Sequence, residues 1–172
     1  MNFETFETLS DYFRYSRHIH LQGWGEPLLH DRIFEMIEIA SRASRVSFTT
    51  NGMLLSENVE QILSYDVDTV AISIAGASKE THENIRRGTN FEKVIEGVKT
   101  LSAMREKSGN DNPEIVLTYL MNKYNIHELP ALMDLASEMG VDYVIATNLD
   151  YVFDEKTDEL KIFSWTKFSR TP

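Results

Sequence analysis

The chain has 172 residues, 42% of them hydrophobic, a net charge of -10 and no cysteine. That length suits one domain with a sizeable core, and no apolar run reaches the ~18 residues of a membrane span, so the expectation is a soluble, cytoplasmic protein. Scattered acidic residues argue against nucleic acid or an anionic membrane as partner, and the missing thiols exclude disulfides, a thiol nucleophile, a Cys-type zinc site and a cysteine-held iron–sulfur cluster in this chain.

Short β-branched runs alternate with helical patterns. The first helix is predicted over Phe3 to Phe13, with Phe3, Phe6, Leu9 and Phe13 near helical spacing. The strand "RHIHLQ" follows, then the glycine loop "GWGEP", then a helix from Asp31 with Ile33, Phe34, Ile37 and Ala40 on one face. "RVSFTT" reads as a second strand ending in Asn51-Gly52, and Ser56 is the expected cap of a helix carrying Val59, Ile62 and Leu63. "TVAISI" is a third strand, apolar as parallel strands covered on both faces are. Thr89 and Glu92 have the spacing of a capping box before Val94, Ile95, Val98, Leu101 and Met104, and "SGNDNP" stops that helix. "EIVLTYL" is the fourth strand. Asn125 is the expected cap of a helix bearing Leu129, Leu132, Met133, Ala136 and Met139, closed by Gly140, and "DYVIA" is the fifth strand. The division expected is a barrel-type domain over 1–150 and a tail of undetermined structure over 151–172, with "FDEKTDELK" exposed.

Strand–helix repetition without hairpin turns predicts parallel strands, right-handed crossovers and ligands at the carboxyl ends of the strands. The residues least suited to a core gather there: "QGWGE", "TTNG", "SIAGAS", "YLMN" and "ATN". Alternation agrees. Val70, Ile72 and Ile74 are bulky, whereas Ala71, Ser73 and Ala75 leave room on the opposite face, as His18, His20 and Gln22 lie opposite Ile19 and Leu21. Gly23 and Gly25 allow positive φ and close backbone approach, and Pro27 keeps Glu26 out of the helical region. A carboxylate fixed beside bare backbone acceptors suits a cationic amine and not a phosphate.

"GWGEP" resembles the Gly-Gly-Glu-Pro motif of the radical S-adenosylmethionine enzymes, with Trp24 at its second position. The resemblance continues, in order, through "FTTNGMLL", "ISIAGASKETHENIRRGTNFEKVIEGVKTL" and "TYLMNKYNIHELPALMDLASEMGVDYV", from Met1 to about Asn148. It is nearest to the branch with the molybdenum-cofactor and peptide-maturation enzymes. It implies an α/β fold: a partial TIM-type barrel of about five parallel strands with helices outside, equivalent to strands two to six of a (β/α)6 barrel. In such enzymes a [4Fe-4S] cluster reduces S-adenosylmethionine to a 5′-deoxyadenosyl radical that abstracts hydrogen from substrate. The resemblance places Gly23, Trp24, Gly25 and Glu26 at the methionyl amine. It places Thr50, Asn51 and Ser73 near the carboxylate or ribose, and the backbone around Ile145 near the adenine.

Two departures limit the resemblance. The Cys-x3-Cys-x2-Cys loop and the strand before it have no counterpart here, and Ala75 stands where relatives often carry an acid. The chain is therefore expected to hold no cluster, no metal and no catalytic residue, and to be inactive alone. A shortened form, a misassigned start and a degenerate binding or assembly module stay open as alternatives; in-frame upstream sequence encoding the cysteines would identify a fragment. Taken singly, Thr50-Asn51-Gly52 reads as a turn and helix entry, Ser73 as a tolerated small residue, Trp24 as packing, and Arg86 with Arg87 as a solvated loop pair, with a substrate-carboxylate role the lesser alternative. His18 and His20 form a His-x-His that some zinc-dependent barrel hydrolases use, but His82 and His127 fall in helical or loop-entry segments and His30 follows the glycine loop, so the ligand set that chemistry needs is incomplete. The substrate is not readable. Finally, unpaired edges at "RHIHLQ" and "DYVIA" predict a homo-oligomer, with "ELKIFSW" a candidate for exchange onto a partner's edge.

Overall fold

The structure, a computed structural model, describes residues 1–149 and 154–162. In chain order it contains α1 (Phe3–Ser10), β1 (His18–Leu21), α2 (Ile33–Ser41), β2 (Arg45–Thr50), α3 (Leu55–Ser64), β3 (Thr69–Ile74), α4 (Lys79–Ile85), α5 (Phe91–Ser108), β4 (Glu114–Met121), α6 (Leu129–Glu138), β5 (Tyr143–Asn148) and α7 (Glu155–Asp158). The sheet order is β1-β2-β3-β4-β5 and every pairing is parallel. Each strand therefore returns through a crossover that lays helix on one face, the partial-barrel arrangement the sequence predicts.

The core is the layer between that face and the helices. Val46, Phe48, Val70, Ile72, Ile74, Ile115 and Leu117 of the strands meet Ile37, Leu55, Ile62, Leu101 and Leu132 of the helices, all essentially without exposure. The opposite face is polar near β1 and β2. Register aligns His20 with Ser47 and Ser73 with Thr118, which is in turn paired with Ile145. His18 and His20 both hydrogen-bond the buried Ser47 hydroxyl, at 2.7 and 2.6 Å, and His20 Nε2 also meets Gln22 at 2.7 Å. Ser47 thus occupies the space between the two rings where a shared metal would sit. Among the described residues no three His, Asp or Glu gather as a metal site.

Several local expectations are corrected. The first helix ends at Ser10, and Phe13 begins a separate 3-10 turn. Ser56 lies inside α3 and caps nothing; its buried hydroxyl has no partner. The cap of α5 is Asn90, which accepts from Lys93 N, while Thr89 donates to Arg86 O and Glu92 pairs with Lys79. Asn125 is buried and caps no helix by its side chain. It ties the end of β3 to the loop after β4, donating to Ala75 O and Leu120 O and accepting from Asn122 N. Within the segment expected to be an exposed tail, Glu155–Asp158 form a helical turn and Leu160 O accepts from Lys123 N. The rest of "ELKIFSW" beyond Ile162 lies outside the described residues. The outer edges of β1 and β5 pair with no other strand among the described residues. Among these residues no helix is long and apolar enough to cross a membrane.

Candidate functional site

The carboxyl ends of β1, β2 and β3 enclose a cavity of about 350 Å³ lined by Gln22 to Glu26, Thr49 to Asn51, Ser73 and Arg86. Seven of the eight residues singled out in the sequence meet there: Gly23, Trp24, Gly25, Glu26, Thr50, Asn51 and Ser73. Ile145 does not line it. It stands half-exposed on β5, in register with Ser73 through Thr118. At the usual strand spacing that puts it roughly 10 Å away on the same face.

Glu26 organises the corner. Held extended before Pro27 (φ -96°, ψ 116°), it precedes the 3-10 turn Pro27–Leu29 and accepts Leu28 N at 3.2 Å. The same oxygen accepts the Thr50 hydroxyl at 2.7 Å, and the other accepts Asn51 N at 2.6 Å. Thr50 in turn accepts Gly52 N, and Asn51 Oδ1 accepts Met53 N. The carboxylate that a ligand amine was expected to meet is therefore already occupied by three donors. It fastens the glycine loop to the end of β2.

The loop itself is left bare. No hydrogen bond reaches the carbonyls of Gly23, Trp24 or Gly25 among the described residues. Among the described residues positive φ occurs at Gly52, Gly88, Gly109 and Gly140, so the left-handed freedom that glycine allows at 23 and 25 is not used. A Cβ built on either would touch nothing within 4 Å. Neither backbone conformation nor packing requires glycine at these positions. The expectation that Trp24 packs is also overturned, since it is 100% exposed.

Arg86 is the residue that sequence reasoning misplaced. Its neighbour Arg87 is exposed, as expected of a solvated residue, but Arg86 is half-buried and lines the cavity. Burial pulls its guanidinium below the usual arginine range, and the Glu26 charge opposes the shift. No ion pair or hydrogen bond engages the guanidinium among the described residues. One turn earlier His82 is fully buried, with Nδ1 accepting Ala75 N and Nε2 unpartnered. Burial and Arg86 hold that imidazole below its ordinary value, with Glu83 opposing, so the neutral form is favoured. Arg86 directly follows the last residue of α4, one turn beyond the buried His82, and that burial separates it from Arg87. The cavity lining thus combines carbonyls and a guanidinium that no hydrogen bond or ion pair engages among the described residues. Such a lining suits a zwitterion.

The chain matches the family described as the Radical SAM superfamily over residues 3–136. It is 29% identical over 148 residues to the tungsten-containing aldehyde ferredoxin oxidoreductase cofactor-modifying protein of Pyrococcus furiosus, covering 83% of this chain and 40% of that protein. It is 34% identical over 119 residues to the AdoMet-dependent heme synthase of Methanosarcina barkeri, covering 67% and 32%. Its fold is similar to that of Streptococcus suis SuiB bound to S-adenosylmethionine, with a TM-score of 0.68 at 15% identity over 90% of this chain and 37% of that one. The chain spans 40% and 32% of the lengths of the two curated relatives described.

Proposed function

The chain belongs to the radical SAM superfamily, and from that premise we propose that it is the S-adenosylmethionine-binding core of a radical enzyme. The observation that carries the reading is that the bare Gly23–Gly25 loop and Arg86, which has no ion pair among the described residues, line one polar cavity. The carbonyls of Gly23, Trp24 and Gly25 accept the methionyl ammonium, and Arg86 takes the carboxylate as a charge-assisted pair. Glu26 holds the loop at the right height and is a positioning residue. Ser73 and the side-chain NH2 of Asn51, whose Oδ1 and backbone N–H are already engaged, serve the ribose, and the exposed β5 backbone at Ile145 serves the adenine. The unit with these functions is residues 1–150, with 151–172 appended.

In such enzymes a [4Fe-4S] cluster supplies the electron that cleaves the sulfonium. The residues of this chain do not fit that cluster, because none is a cysteine. We therefore assign binding and orientation to this chain and no bond-breaking step. A non-catalytic nucleoside-binding or assembly module is the second reading, favoured by the combination of an open ligand corner with no thiolate. The small-molecule partner is common to both readings. The free edges of β1 and β5 support self-association, which light scattering tests; a monodisperse monomer at ~100 μM overturns it.

Titration calorimetry with S-adenosylmethionine tests the central reading. Binding is expected, weakened about tenfold or more in Arg86→Met. No binding, or equal binding by both proteins, overturns it. Incubation with iron and sulfide under reductant is expected to give neither a stoichiometric cluster nor 5′-deoxyadenosine.

A further inference from the structure

Two cation-over-ring contacts are present among the described residues: Arg32 lies 3.3 Å from the centroid of Phe3, and Arg14 lies 4.9 Å from that of Tyr15. Trp24 carries the ring best suited to such a contact and touches nothing, being 100% exposed. It is not a stray surface residue. It sits at the tip of the loop whose carbonyls are unengaged, and it lines the same cavity as Glu26, Asn51, Ser73 and Arg86. Both flanking residues are glycines whose added Cβ would meet nothing, so the indole has open space on either side in which to turn. Among the described residues no side chain competes for that space.

A ligand ammonium held by the carbonyls of residues 23–25 lies within one residue of this ring. The sulfonium of the same ligand lies three bonds from the carbon bearing the ammonium. Both are compact positive charges that the negative face of an indole attracts, most strongly where the ligand itself displaces water. We propose that Trp24 closes over bound S-adenosylmethionine and recognises its positive charge through a cation–π contact, making it a specificity-determining residue for the sulfonium over the thioether S-adenosylhomocysteine, whose sulfur is uncharged. The inference rests on the ligand reading above and adds a selectivity that carbonyls and Arg86 cannot supply, since both ligand forms share the same ammonium and carboxylate.

The experiment uses the full chain in a Trp165→Phe background, which leaves Trp24 as the sole indole of the two in the sequence. S-adenosylmethionine and S-adenosylhomocysteine are titrated by intrinsic fluorescence and by calorimetry. Quenching of Trp24 is expected to be stronger with the sulfonium. Trp24→Leu, which keeps apolar bulk and removes the ring, is measured by calorimetry and is expected to reduce the preference for the sulfonium about fivefold; Trp24→Phe is expected to reduce it about twofold. Because Trp24 is fully exposed, neither substitution threatens the fold. An unchanged preference in Trp24→Leu overturns the inference while leaving the ligand reading intact. A ligand-free blue shift of Trp24 emission with rising protein concentration also overturns it, because the ring then packs on a second copy. Binding of neither nucleoside by the parent chain overturns the ligand reading, and this inference with it.

Discussion

Two half-buried glutamates fasten neighbouring strand ends, and they leave them in opposite states. Glu128, after β4, accepts Ala77 N, Ser78 N, the Ser78 hydroxyl and the Thr81 hydroxyl, all from the turn that follows β3. That turn is closed on itself: a Cβ on Gly76 would lie 2.8 Å from His82 N and 2.9 Å from Glu128. Glu26 also accepts three donors, but from its own 3-10 turn and from the end of β2, and none from residues 23–25. The glycine loop is thus clamped at its base and left empty at its tip. A turn whose glycine is packed against backbone and carboxylate has no room for a ligand; one that is held at its base yet has open space around its carbonyls is available to a ligand.

The sharpest way to break this comparison is to put the same methyl group into both corners. Gly76→Ala drives a Cβ into backbone at 2.8 Å that cannot yield cheaply, and a loss of about 2–4 kcal/mol is expected from denaturant unfolding. A loss below about 0.5 kcal/mol, within the range of neutral surface changes, would mean that the turn is not packed as described.

Removing the closing charge comes next. Burial alone would raise the Glu128 carboxyl, but the bonds from Thr81, Ser78 and Ala77 outweigh it and hold the group below its ordinary value of 4.5. Its contribution is therefore complete above that pH and is lost as pH falls through the depressed folded value. Glu128→Gln is expected to cost about 1–3 kcal/mol at neutral pH. The gap to the parent protein should narrow as pH falls below 4.5, followed by thermal unfolding across that range. A gap independent of pH would show that the charge is not what holds the turn.

Glu26→Gln sharpens the other corner. The amide keeps one acceptor oxygen and turns the other into a donor facing Asn51 N or Thr50, so a loss of about 1 kcal/mol is expected. Affinity for S-adenosylmethionine should fall with it, since the loop loses its clamp. Equal affinity in both proteins would show that the carboxylate does not set the position of the loop.

The strands were the most legible part of the fold, and the reason is visible in β2 and β3. Their bounds match "RVSFTT" and "TVAISI" because continuous β-branched runs are bounded by turn residues on both sides. The helix starts were less legible because neighbouring residues compete for the cap. Thr89 satisfies a capping-box pattern with Glu92, yet Asn90, one residue closer, takes the role. Helix α4 shows no apolar period, since its one buried residue is His82, and is seen only as a helical or loop-entry segment. In the site, the seven clustered residues follow from motif and strand-end position. Arg86 does not, because only the burial of the α4 face distinguishes it from Arg87, and burial is a tertiary fact.

The smallest expected change in stability belongs to Gly25→Ala, and it bears most directly on what the loop is for. Gly25 has no positive φ, so an alanine is not strained there, and the new methyl would meet nothing within 4 Å. Replacing a glycine in a conformation that alanine tolerates narrows the unfolded ensemble and adds about 0.4–1 kcal/mol. The melting temperature should therefore hold or rise slightly, the reverse of Gly76→Ala. Affinity for S-adenosylmethionine should nonetheless fall about tenfold, because the methyl occupies the space through which a ligand reaches the bare carbonyls. The two readouts are independent. A clear loss of stability would mean that the fold uses this glycine after all, and unchanged affinity in a stable variant would mean that the open space is not where the ligand goes.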